Sequence, residues 1–212
     1  MRLVTFGCSY TFGQGLEDCF VLPNNSGPAP SKFAWPQLLA NAQNLRCINM
    51  SNPGSSNKEI LNTLLKFRFE STDIVIIMWS FTERWCILNR QGNVATRLRL
   101  SEIDSGVMLQ YDKIFTVHDL QLDFIYRANF AKMHLDNKNL KNYHLSVAPD
   151  FCLPPVMPKW NIVDFIKINM TWLRDHNPPA LDIASGNPHP GPEAHQILAQ
   201  ELCDEIFNAH NK

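Results

Sequence analysis

The stretch Asp73-Ile74-Val75-Ile76-Ile77-Met78-Trp79 is an almost unbroken apolar, β-branched run. It shows no polar alternation, so neither face is suited to water, and such a strand belongs in the centre of a parallel sheet covered on both sides. Outward from it, Leu3-Val4-Thr5-Phe6 reads as a buried first strand that ends at a glycine turn, Gly7. Leu45-Arg46-Cys47-Ile48-Asn49 predicts another strand, and Tyr143 to Ala148 a further one closed by Pro149. Helical spacings lie between them. Phe33, Trp35, Leu38 and Leu39 follow Ser31 as N-cap; Ile60, Leu61, Leu64, Leu65 and Phe67 line a helix over 57–70. Leu120, Leu122, Phe124, Ile125, Ala128, Phe130, Ala131 and Leu135 predict one long, mostly buried helix over 118–140. Gly191-Pro192 opens a terminal amphipathic helix that runs through Ile206. Alternating strand and helix predict α/β architecture, a three-layer α/β/α sandwich around a central, mostly parallel sheet. The segment around Arg90-Gln91-Gly92-Asn93 predicts a small hairpin inserted over 86–100, and the Pro- and Trp-rich residues 150–179 predict loop with one or two short helices.

A chain of 212 residues fits a single domain over 1–212, and 45% hydrophobic against 18% charged residues supplies a core unaided. Lys+Arg 19 against Asp+Glu 20 leaves a net charge of −1, which removes the electrostatic case for nucleic acid or an anionic membrane as the main partner. Cys8, Cys19, Cys47, Cys86, Cys152 and Cys203 form no C-x-x-C pair, so neither a zinc ribbon nor a redox dithiol is indicated and the thiols are expected to be free and buried. The first residues make too short an apolar run for a signal peptide, and no run reaches the roughly 20 apolar residues of a membrane span. A cytoplasmic setting is the expectation.

Ser9, in Phe6-Gly7-Cys8-Ser9-Tyr10-Thr11, follows the first strand and so falls at the carboxyl end of the sheet, where open α/β folds bind ligands. A serine hydroxyl attacks a carbonyl only with a base in reach and with donors for the developing oxyanion. His189, in Asn187-Pro188-His189-Pro190, precedes the last helix, and the topology lets it fold over the same edge. Each residue also has a structural role open to it. Ser9 can cap the first helix, Gly54 can serve a turn of positive φ, and His189 can be held by a backbone carbonyl. Cys8 suits a small buried hydrophobe better than a nucleophile. His195 can contact His189 or face solvent, and His189, Glu193 and His195 lack the further ligands of a zinc site. Trp79, Trp85 and Arg84 suit either a stacking or anion-binding wall or core packing with a surface ion pair.

Gly7-Cys8-Ser9, Asn49-Met50-Ser51-Asn52-Pro53-Gly54-Ser55-Ser56 and His189-Pro190-Gly191-Pro192-Glu193 together resemble the SGNH (GDSL-like) hydrolase family, particularly its short phage-type members. The resemblance implies a flavodoxin-like three-layer fold and a serine esterase needing no metal or organic cofactor. It implies Ser9 as nucleophile and His189 as base, with the N–H groups of Ser9 and Gly54 as oxyanion donors. The implied substrate is a small ester, including an acetyl group on a carbohydrate. Three departures stand out. Cys8 replaces the aspartate of the first motif, and Trp79-Ser80-Phe81-Thr82-Glu83-Arg84 lacks the asparagine donor expected after the third strand, leaving Ser80 or Thr82 in its place. Gly186 and Asn187 stand where an aspartate usually orients the histidine; Asn187 accepts a hydrogen bond from an imidazole but does not stabilise its cation as a carboxylate does. In a serine protease that replacement costs about 10⁴ in turnover. Two rivals follow: a catalytically degenerate module that binds a glycan or protein, and a flavodoxin-like protein whose Ser9 to Gly15 loop wraps a phosphate. The absence of G-K-[ST] excludes a P-loop NTPase.

Overall fold

The computed structural model describes residues 1–21, 26–99, 116–147, 153–167 and 189–208. Strands β1 (Arg2–Phe6), β2 (Arg46–Asn49), β3 (Ile74–Trp79) and β6 (Lys141–Ser146) form a parallel sheet in the order β2-β1-β3-β6. The apolar run Ile74–Trp79 is β3, buried at every residue and flanked on both sides, as its lack of polar alternation requires. Strands β4 (Arg84–Leu88) and β5 (Val94–Arg99) form a separate antiparallel pair.

Helices α1 (Ser9–Phe12), α2 (Trp35–Ala42), α3 (Asn57–Lys66), α4 (Val117–Asp136) and α5 (Pro192–Ile206), with a single 3₁₀ turn at Glu17–Cys19, complete the described elements. α2 packs on α5 and α3 on α4, giving a helical layer on each face of the sheet. Among the described residues, no helix is long and apolar enough to cross a membrane.

Several boundaries differ from expectation for tertiary reasons. α3 stops at Lys66 rather than near residue 70 because Phe67 takes extended backbone, and Phe67 and Phe69 turn in to pack on Phe6 at ring distances of 5.8 and 6.1 Å. Leu65 and Phe130, expected on buried faces, are 39% and 52% exposed. α2 begins at Trp35 with Ala34 as N-cap; Ser31 is drawn off to the Asp18 carboxylate and to the Phe33 N–H. The long helix ends at Asp136, and β6 begins at Lys141 and ends at Ser146, a shift from the 143–148 reading. Residues 153–167 contain no helix, only a bridge between His144 and Phe165; the rest of the 150–179 segment, apart from these residues, lies outside the described residues.

Two buried histidines tie neighbouring elements together. Trp79 Nε1 donates to His144 Nδ1 at 3.1 Å, and the other nitrogen of His144 faces Asn142 Oδ1 at 3.2 Å. Trp79 is therefore a core residue, not part of a ligand wall. The Trp35 N–H donates to His195 Nδ1 at 3.2 Å, so a side chain of α5 caps a helix whose own N-cap, an alanine, has nothing to offer. His195 is buried rather than facing solvent. Burial is the main cause that pushes both imidazoles down to about 3, with Lys132 adding for His144 and His189 for His195.

Gly7 permits the sharp exit from β1 into α1. A Cβ there would lie 2.1 Å from Thr11 Oγ1, 2.7 Å from Thr11 Cβ and 3.1 Å from the Met78 carbonyl oxygen. Rotating the threonine relieves only the first of these. Gly7→Ala is expected to cost about 3 kcal/mol, at the upper end for overpacking, read as a lower urea midpoint at unchanged m; a midpoint equal to wild type would refute the clash.

Candidate active site

Ser9 is the first residue of α1. The N-cap position is Cys8, whose thiol makes no capping bond and lies in the hydrophobic core, so the small-hydrophobe reading of Cys8 fits and the capping reading of Ser9 does not. The Ser9 Oγ is buried, the residue being 2% exposed, and has no hydrogen-bond partner among the described residues. Its own N–H, at the start of a helix, has no intrahelical acceptor.

The loop after β2 is bonded to this turn at two points. The Asn52 N–H donates to the Gly7 carbonyl at 3.2 Å, and Asn49 Nδ2 donates to the Thr11 carbonyl at 2.7 Å. Asn49 Oδ1 in turn accepts from the Ser51 N–H at 3.1 Å and from the Ser51 hydroxyl. Gly54 has φ +74°, in a turn closed by the Ser55 N–H on the Asn52 carbonyl at 3.1 Å. The turn role of Gly54 is thus satisfied, and its place beside the Ser9 turn keeps the donor role open.

The third loop follows β3. Ser80 is fully buried, and both its backbone groups are held by one side chain: its N–H donates to Asn57 Oδ1 at 2.7 Å and its carbonyl accepts from Asn57 Nδ2 at 3.0 Å. Arg84 Nη1 donates to Ser80 Oγ at 3.1 Å. Thr82 lies in the turn beyond and lines a small pocket with Asn57 and Arg84. Asn57 had no signal in the sequence, because its partner comes 23 residues later and only the fold brings them together. Asn57→Ala strands a buried N–H and a buried carbonyl, each costing about 1–3 kcal/mol. The expected loss is about 3 kcal/mol in urea unfolding, and a change under about 0.5 kcal/mol, the size of an ordinary surface substitution, would show that water replaces the amide.

Tyr10 joins these pieces. Its ring meets Phe81 of the third loop at 6.1 Å and His189 at 5.7 Å, both edge-on. His189 is 5% exposed. The structure therefore brings the Ser9 turn, the Asn49–Gly54 loop, Ser80 and His189 to one edge of the sheet, with no hydrogen bond from His189 to the Ser9 hydroxyl. Gly186 and Asn187 lie outside the described residues. No group of three metal-ligating side chains occurs among the described residues, so the described part of the chain does not assemble His189, Glu193 and His195 into a zinc site.

Beside the Gly54 turn opens a groove of about 620 Å³ between α3 and the β4–β5 hairpin, lined by Asn52, Glu59, Asn62, Lys66, Arg68 and Arg97 among others. Arg97 holds Glu59 through Nε at 2.9 Å and Nη2 at 2.6 Å, and Glu59 also accepts from Asn52 Nδ2 at 3.3 Å. The Arg97 Cδ is 3.7 Å from where a Cβ on Gly54 would be. The hairpin is thereby anchored to the loop that carries Gly54.

No family model and no curated protein sequence matches the chain. Solved structures do. The chain superposes over its whole length on a carbohydrate esterase whose active site displays divergent catalytic and non-catalytic binding functions, with a TM-score of 0.57 at 14% identity, covering 69% of that protein. The chain has the fold of this esterase. A psychrotrophic esterase from Pseudoalteromonas sp. matches with a TM-score of 0.53 at 13% identity, 100% of this chain covering 99% of that one. An acetyl xylan esterase from the rumen bacterium Butyrivibrio proteoclasticus matches with a TM-score of 0.52 at 14% identity, 99% of this chain spanning 64% of its length. Within this fold, Ser9 follows β1, Gly54 the strand β2, Ser80 the strand β3, and His189 precedes the last described helix.

Proposed function

We propose that the chain is a serine esterase that removes a small acyl group, and that its substrate is an O-acetylated carbohydrate. The reading is carried by the buried Ser9 hydroxyl, which has no partner to hold it and sits at the carboxyl edge of the sheet next to Tyr10, on whose ring His189 rests. Ser9 Oγ attacks the acyl carbon as His189 takes its proton. The oxyanion is held by the N–H groups of Ser9 and Gly54, with Ser80 rather than Thr82 in the third-loop position because Ser80 is the residue the Asn57 amide holds in place. His189 returns the proton to the leaving alcohol, and water then releases the acid by the same steps reversed. Asn187 orients His189, and the polar groove beside Gly54 accommodates the sugar alcohol. The esterase neighbours support the reaction class; 12–14% identity leaves the substrate to this argument.

The test is acetate release from an O-acetylated xylo-oligosaccharide and from p-nitrophenyl acetate over about pH 6 to 9, the range in which an imidazole base deprotonates. Turnover of either that rises as the base loses its proton supports the assignment. Background rates on both, with the oligosaccharide still retained by the protein, would favour the second reading, a glycan-binding module. That alternative draws on the missing third-loop asparagine and on the absence of a carboxylate at Gly186 and Asn187.

A further inference from the structure

Arg84 is 7% exposed, and none of the ion pairs among the described residues includes it. Its Nη1 is spent on Ser80 Oγ, its guanidinium lies 4.9 Å over the Phe81 ring, and its Nε–H is buried with no acceptor among the described residues. A buried cation without a counter-ion costs several kcal/mol, and proteins place one only where something compensates it. The small pocket that Arg84 lines contains Lys58, Thr82, Asp123 and Arg127 as well. Asp123 is not that counter-ion, since Arg127 takes both of its oxygens at 2.7 Å. Among the described residues the Lys58 ammonium reaches only the Cys86 carbonyl, at 3.5 Å. Two positive charges, Arg84 and Lys58, thus line a small pocket that leaves about 10 Å³ for the centre of a water-sized atom, room for one small ion.

We infer that this pocket is a binding site for a small anion, a halide such as chloride or a single oxygen of a formate-sized carboxylate. The cavity is too small for a larger anion to enter whole. The donors are those a weakly hydrated anion accepts: a guanidinium N–H, an ammonium and the Thr82 hydroxyl. Occupancy supplies the charge that Arg84 lacks, so the anion stabilises the fold and orders the loop that carries Ser80. The inference stands apart from the esterase reading, because binding and melting are read without any substrate.

The full chain is melted at equal ionic strength in sodium chloride, sodium formate and sodium gluconate, whose anion is too bulky for the cavity, and the line width of the chloride NMR signal is followed with protein added. Chloride or formate is expected to raise the melting temperature over gluconate by about 5 °C once its concentration is about fiftyfold above the dissociation constant. The chloride signal should broaden with wild type and narrow again as formate is added. Arg84→Gln should lose both effects. If that variant does not fold, Lys58→Gln, in the first turn of α3 and only half-buried, should at least halve the melting shift. A response to chloride alone assigns a halide site, and a response to both assigns a site that also takes a carboxylate oxygen. Equal melting in all three salts with an unbroadened chloride signal would overturn the inference, as would a response that survives both substitutions.

Discussion

Ser9→Ala is expected to lose at least about 10³-fold in turnover of p-nitrophenyl acetate and to become slightly more stable. The two effects have one cause. In the folded chain the Ser9 hydroxyl is shielded from water and bonded to no described residue, a state that costs about 1–3 kcal/mol for a buried polar group. Replacing it by a methyl removes that cost, so the melting temperature should rise by about 2–4 °C per kcal/mol recovered. No neighbour loses a partner, and helix α1 loses no cap, since Cys8 holds the N-cap position. A serine that merely supported the structure would behave oppositely: its loss would lower stability and leave ester hydrolysis at the wild-type rate. Turnover retained in Ser9→Ala would remove Ser9 from the mechanism, whatever the stability change.

Acidification from about pH 7.5 to 5.5 is expected to cost about 3 kcal/mol of stability through His144 and His195. Both imidazoles are buried and neutral in the fold, pushed down to about 3 mainly by loss of hydration. In the unfolded chain they titrate near 6.5. Because the folded values lie below the unfolded one, their stabilisation is complete above about pH 6.5 and drains away as pH falls toward 3, the unfolded chain binding two protons that the folded chain refuses. Over the two-unit step each histidine contributes about 1.4 kcal/mol. Protonating His195 would also put a cation at the start of α2, where the helix dipole is already positive. Urea midpoints at the two pH values test this, with His195→Gln expected to halve the difference. A midpoint that does not move with pH would mean that both rings are charged or hydrated in the fold.

The fold class was legible because hydrophobic periodicity is a local signal. β3 is apolar at every position and can lie only between two covered faces, while the alternation of short apolar runs with 3.6-residue spacings leaves little besides a parallel sheet with helices on both sides. Element ends were less legible, because they are decided by partners distant in sequence. Phe67 and Phe69 leave the helical path to reach Phe6, and Ser31 is not the cap of α2 because Asp18 holds it.

At the candidate site, the sequence marked Ser9, Gly54, Ser80 and His189 through short motifs and their order along the chain. Their meeting at one edge depends on Tyr10, which touches Phe81 and His189, and on Asn57, which fastens Ser80 by both its backbone groups. Neither residue has a spacing that announces it. Arg84 read equally well as a surface ion pair until its burial excluded that. By itself the sequence determined the layers of this protein and the places in the chain where its chemistry can stand, since periodicity and turn chemistry act over a few residues. Only the tertiary structure decided which polar groups lose water and which find partners. That difference leaves the Ser9 hydroxyl and the Arg84 Nε–H buried and unsatisfied, and it keeps His144 and His195 neutral.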